Sequence, residues 1–232
     1  MQQTGLNLIA IAIFTMTLSC LLSPILNISP FIPAATTFGI LGLVTVDTLS
    51  LQNRGVTLLL DLFASAEQRQ RIIHHEAGHF LTAYFLGIPV TGYTLTAWEA
   101  IKQGHYGRGG IIFDTEQVTE KPFSLEAKRL TLDRLSTVWM AGVAAEKLVY
   151  GTTEGGKEDI QQLRMALNLA GISPQAYGQK ERWAQLQATN LLQRYQSSYD
   201  ALVQAMVARK SVAECYSIIH HSLDSTKSLA PN

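Results

Sequence analysis

The chain has 232 residues, 18 basic and 18 acidic side chains, and a hydrophobic share of 47%. Zero net charge argues against the broad basic face of a nucleic-acid-binding domain. The two cysteines, Cys20 and Cys215, argue against a disulfide scaffold or a cysteine-built zinc site, and favour a reducing compartment.

The N-terminal stretch reads as membrane material. Residues 1–53 contain no Lys or Arg, and Asp47 is their only acid. Residues 6–26 (LNLIAIAIFTMTLSCLLSPIL) are expected to form a transmembrane helix, since about 20 apolar residues cross a hydrocarbon core of roughly 30 Å. Residues 31–49 are expected to return across the bilayer, although Pro33, Thr36, Thr37 and Asp47 interrupt them. The expectation is an anchor of one or two transmembrane helices over residues 1–53. A cleaved signal peptide would need a basic leader, which Met1-Gln2-Gln3-Thr4-Gly5 lacks, and Thr17-Leu18-Ser19-Cys20 matches a lipoprotein cleavage site only in part. The first basic residues are Arg54, Arg69 and Arg71. The positive-inside rule therefore predicts an integral membrane protein with its folded domain on the cytoplasmic-type side, cytoplasm or stroma. Residues 54–64 are apolar but too short to span, and read as a linker or interfacial segment.

The folded domain is expected over residues 65–223. Ser65 with Gln68 forms a capping-box pattern that opens a helix. Ile72, Ile73, Ala77, Phe80, Leu81 and Tyr84 carry it at three- and four-residue steps, and Gly87 and Pro89 end it. On that helix lies His75-Glu76-Ala77-Gly78-His79, an H-E-x-x-H motif. Side chains four residues apart return to one helix face, so both imidazoles can reach one zinc, and Glu76 stands where it can take a proton from water. His74 points about 100° away from His75 and reads as structural. The apolar run after His79 is too short for a bilayer span, which weighs against an intramembrane zinc protease.

Residues 90–98 and 109–113 read as two strands, either holding an extended peptide by β-augmentation or only covering the core. Long helices are expected over 125–149, 159–169 and 180–208, with Ser211 and Glu214 boxing the start of a last one. Residues 224–232 read as a disordered tail. The fold class is therefore α+β and mostly α-helical: an N-terminal transmembrane helix or hairpin, then a helical zinc-peptidase domain with a small β-sheet.

A catalytic zinc usually has three protein ligands and one open position. Candidates for the third are His105 in a polar loop, Glu146 on a helix, His220 and His221 near the C-terminus, and Asp159 after a glycine-bearing loop. The residues alone leave the choice open.

The motif H-E-A-G-H, then A-G-V-A-A-E-K-L-V-Y-G, then T-T-E-G-G-K-E-D-I-Q-Q-L closely resembles the protease domain of the FtsH-type membrane zinc proteases, over residues 68–219. The resemblance implies Zn²⁺ bound by His75, His79 and Asp159, with Glu76 as catalytic base. It implies a metalloendopeptidase acting on membrane or loosely folded proteins, as a homo-oligomer or in a mixed ring with FtsH-type proteases. An adaptor with weak or no catalysis is the alternative. Where that family carries an AAA ATPase module, only residues 54–67 stand here. The run Gly151 to Lys157 imitates a phosphate-binding P-loop, but Glu158 replaces the required Ser or Thr, and no nucleotide site is expected.

Overall fold

The computed structural model describes residues 2–25, 27, 29, 31–50, 54–104, 110–114 and 124–228. In chain order the elements are α1 (Gln2–Leu22), α2 (Phe31–Ser50), α3 (Arg54–Leu62), α4 (Ala66–Leu86), β1 (Val90–Thr94), α5 (Ala97–Lys102) and β2 (Gly110–Phe113). They continue as α6 (Leu125–Trp139), α7 (Ala141–Tyr150), α8 (Lys157–Leu169), a 3₁₀ turn (Pro174–Ala176), α9 (Tyr177–Arg194), α10 (Gln196–Val207) and α11 (Val212–Ser228). The chain divides into two compact units, Met1–Gln68 with Thr96–Arg108, and Arg69–Leu95 with Gly109–Asn232.

In the first unit the membrane expectation is overturned. Among the described residues no helix is long and apolar enough to cross a membrane. The helix α1 stops at Leu22, four residues before the end of the stretch 6–26 that was expected to span. Within α2 the hydroxyls of Thr36 and Thr37 donate back to the carbonyls of Ile32 and Pro33, at 2.9 and 2.8 Å. Asp47 is buried and accepts the Gly55 N–H at 2.8 Å, so the end of α2 is organised around a carboxylate. The transmembrane part of the expected fold class and the integral-membrane localisation on a cytoplasmic-type side are both set aside. What remains of that class, among the described residues, is a predominantly helical chain with one two-stranded sheet.

The first strand is shorter than expected. Thr96 takes an extended backbone (φ −138°) and its side chain accepts the Glu99 N–H at 3.1 Å, so residues 97–102 become the capped helix α5. The Ala97 N–H donates to Asp61 at 3.1 Å.

The second unit is built around α4. Ala77, Phe80, Leu81 and Ala83 are fully buried, and pack in one core with Val138, Ala141, Ala144, Leu202, Met206 and Ile219. Fully burying a Leu or Phe contributes about 1.5–3 kcal/mol. A smaller core gathers Met140, Val143, Leu163, Leu167 and Ala184. The strands β1 and β2 pair antiparallel, Tyr93 opposite Ile111, with an irregularity between Val90 and Gly92. The Val90 N–H donates to the Tyr216 hydroxyl at 2.8 Å, tying the hairpin to α11.

Two expected long helices are each broken. The stretch 125–149 breaks at Met140 (φ −83°, ψ −2°), where α7 takes a new start, and the stretch 180–208 breaks at Tyr195 (φ −115°, ψ 37°). Each break follows packing: Met140 is buried in the smaller core, and the Tyr195 ring stacks on Phe85 with centroids 3.9 Å apart. The helix α11 continues through Ser228, past the point where a tail was expected. Residues 229–232 lie outside the described residues.

Candidate metal centre

The capping box at Ser65 forms as read: the Ser65 hydroxyl accepts the Gln68 N–H at 3.1 Å, and the Gln68 side chain accepts the Ser65 N–H at 3.0 Å. It starts α4, which then carries His75, Glu76 and His79 into the core, all three buried. Gly78 lets α4 approach α7 closely. A β-carbon there would stand 2.6 Å from the Ala141 carbonyl oxygen and 2.7 Å from the Ala145 β-carbon.

Asp159 arrives from the first turn of α8. The loop before it uses left-handed glycines at both ends, Gly151 (φ 72°) closing α7 and Gly156 (φ 86°) opening α8. An L side chain adopts that conformation only with strain. The loop brings Asp159 to the α4 histidines. Its Oδ2 lies 3.1 Å from Nε2 of His75, and its Oδ1 3.4 Å from Nε2 of His79. The ligand atoms of His75, His79 and Asp159 all fall within 4.8 Å of one another, and this group could hold a metal ion.

The opposite ring nitrogens are fixed by protein. Nδ1 of His79 lies 2.7 Å from the Val138 carbonyl oxygen, which can only accept, so Nδ1 carries the proton and Nε2 is left toward Asp159. Nδ1 of His75 lies 2.8 Å from Oε1 of Glu146. The Glu146 carboxylate also accepts the N–H groups of Glu154 (2.8 Å) and Gly155 (3.2 Å). This is the arrangement by which metal-binding histidines are oriented, one nitrogen for the metal and one for a carboxylate or carbonyl. The donor set, two imidazoles and a carboxylate, suits zinc or another divalent transition metal.

The electrostatics follow from that packing. Burial disfavours the charged His75 ring, but the hydrogen bonds to Asp159 and Glu146 and the nearby carboxylates outweigh it and push its pKa up to about 10. His79 is raised as well, burial again being outweighed by Asp159. Burial would raise Asp159, but the adjacent His79 and His75 hold it far below the ordinary carboxylate range. Glu146 is likewise lowered: its burial is outweighed by His75 and two backbone N–H groups. Glu76 goes the other way, raised chiefly by burial despite both histidines. Its Oε2 is buried with no hydrogen-bond partner among the described residues.

The structure thus brings together His75, Glu76, His79 and Asp159. Glu146, weighed as a third ligand, instead supports His75 from behind. His105 lies outside the described residues. His220 and His221 are exposed on α11, His220 pairing with Asp224 at 3.1 Å. His74 turns to Tyr199, whose hydroxyl donates to the His74 carbonyl at 3.0 Å and lies 2.9 Å from Nδ1. Sequence reasoning did not find the Val138 carbonyl, Gly142, Gly155 or Arg71. Only the glycines carried a signal, as small residues beside motif positions.

No protein-family model matches this chain, and no curated protein matches it.

Proposed function

We propose that this chain is a zinc-dependent endopeptidase that cleaves peptides and loosely folded proteins, using a site like that of the FtsH-type protease domain it resembles. The observation that carries the reading is the unpartnered, buried Oε2 of Glu76 beside a His75–His79–Asp159 group of metal-ligand chemistry. A buried carboxylate oxygen without a donor costs stability and persists where function needs it.

His75 and His79 would hold the zinc through Nε2, and Asp159 through its carboxylate. When bound, zinc supplies Lewis acidity towards a peptide carbonyl and towards water. Glu76 takes the proton of the attacking water at Oε2 and passes it to the departing amine. Burial raises its pKa above the ordinary carboxylate value, the direction that favours holding the proton and handing it on. Glu146 and the Val138 carbonyl keep both rings in the tautomer this requires.

The test is metal analysis of the purified chain together with a peptidase assay on an unstructured protein such as casein, with and without chelator and with and without ATP. Stoichiometric zinc and chelator-sensitive cleavage independent of ATP are expected. A chain that holds zinc but leaves casein intact under all these conditions would overturn the peptidase reading and leave a metal-binding adaptor.

A further inference from the structure

Arg71 stands one helical turn before His75 on α4, on the same face. Its side chain is only 13% exposed, and its guanidinium lies 4.2 Å from the centroid of the Tyr150 ring. From that seat Nη1 reaches the Thr152 carbonyl at 3.5 Å and Oε2 of Glu146 at 3.9 Å, while Nε stands 3.8 Å from Oε1 of Glu154. These contacts fall on two things at once. One is the carboxylate that orients His75. The other is the loop between Gly151 and Gly156 that delivers Asp159.

We propose that Arg71 is a positioning residue of the metal centre: it ties Glu146 and the 151–156 loop to α4, so that the His75 ring and Asp159 are set together. This rests on the metal-centre reading above. The physical case is that Glu146 is buried, and a buried carboxylate needs a full set of donors and a nearby positive charge to stay in one place. His75 and the Glu154 and Gly155 N–H groups supply the donors, and Arg71 supplies the nearby charge. The guanidinium lies over the Tyr150 ring while two of its nitrogens reach towards the carboxylates, a combination that a lysine does not offer. An ordinary surface ion pair would be exposed and worth little; the Arg71–Glu146 pair is enclosed and links α4 to α7, while Glu154 on the loop is about half exposed.

The test uses the full chain carrying Arg71→Met, with exposed Arg69→Met as the charge control. In the metal-free protein, nitrogen-15 histidine NMR reads the His75 Nδ1 proton held by Glu146. In a second arm, titration with Zn²⁺ alone gives the affinity, and Co²⁺ gives the ligand-field spectrum. Arg71→Met is expected to broaden or lose the Nδ1 proton signal and to weaken Zn²⁺ binding about 10–100-fold. Arg71→Lys should recover part of the affinity, and Arg69→Met should behave as the unchanged chain. Arg71→Met with an intact Nδ1 signal and unchanged Zn²⁺ affinity overturns the proposal, as does an equal loss in Arg69→Met. If the unchanged chain binds no zinc, the metal reading fails, and the metal-free NMR arm alone decides for or against Arg71. If Arg71→Met does not fold, Tyr150→Leu, which removes the stacking platform, must show a smaller change of the same kind, and no change there counts against it.

Discussion

The α-carbon of Gly142 faces the Nε2 of His75 so closely that a β-carbon there would overlap the imidazole. Exchanging glycine for alanine inside a helix ordinarily stabilises by up to about 1 kcal/mol. Here the sign should reverse. Gly142→Ala is expected to destabilise by about 1–3 kcal/mol, as overpacking of a filled core does, and to displace the metal-facing nitrogen. Thermal unfolding and bound zinc per chain measure the two effects. A variant as stable as the unchanged chain with full zinc content would show that the ring does not need this gap.

Glu76→Gln separates binding from catalysis. The amide has nearly the same shape but cannot accept and return a proton at Oε2. Zinc content should remain, and casein hydrolysis should fall by at least about 100-fold, the lower range for a positioned acid–base group. Cleavage at more than trace level would remove Glu76 from the proton-transfer role.

Removing the metal should lower stability through linkage. An ion that binds only the folded chain stabilises it by about 2.7 kcal/mol when present at 100 times its Kd. Dialysis against chelator should therefore depress the melting temperature, and added Zn²⁺ should restore it. Asp159→Ala should blunt this response, because one carboxylate of the ligand group is gone. An equal zinc-dependent rise in that variant would show that the ion sits elsewhere.

The last helix offers a pH test away from the centre. Glu214 accepts hydrogen bonds from the Ser211 hydroxyl (2.7 Å), the Ser211 N–H (2.8 Å) and the Lys210 ammonium (3.0 Å), and its pKa is lowered to about 2. A carboxylate with a depressed folded-state pKa contributes stability that is present above its unfolded value near 4.5 and is lost as pH falls towards 2. Glu214→Ala should thus melt below the unchanged chain at pH 7, by a small margin because the group is fully exposed. The gap should close as acid is added to pH 2. A gap that persists at pH 2 would mean the effect is not ionic.

The site was more legible than its surroundings. His75, Glu76 and His79 could be placed on one face because four-residue spacing and an apolar period fix helix geometry locally. Ser65 with Gln68, and Ser211 with Glu214, could be read as caps for the same reason. The break at Met140 was not legible, since Gly142, the weakest helix former in residues 125–149, fixes no exact breakpoint; in the fold Met140 is buried in the smaller core. The first strand was overextended because Thr96 sits as well in a strand as at a helix start, and its bond to the Glu99 N–H decides. The apolar N-terminal residues carried the composition of a bilayer span, but where a helix stops is set by turn geometry. Among the described residues no helix is both long and apolar enough to cross.

By itself the sequence determined a helix presenting two imidazoles and a carboxylate, because 3.6-residue periodicity is a property of neighbouring residues. It left the third ligand open among His105, Glu146, His220, His221 and Asp159, and resemblance alone favoured Asp159. Only the tertiary structure shows how Glu146 and Asp159 meet His75, since their separation along the chain says nothing of which nitrogen each would face. The fold puts Glu146 at Nδ1 and Asp159 at Nε2, 2.8 and 3.1 Å away. The physical reason is packing: bare glycine faces at positions 78, 142 and 155 let α7 and the loop close on His75 from two sides.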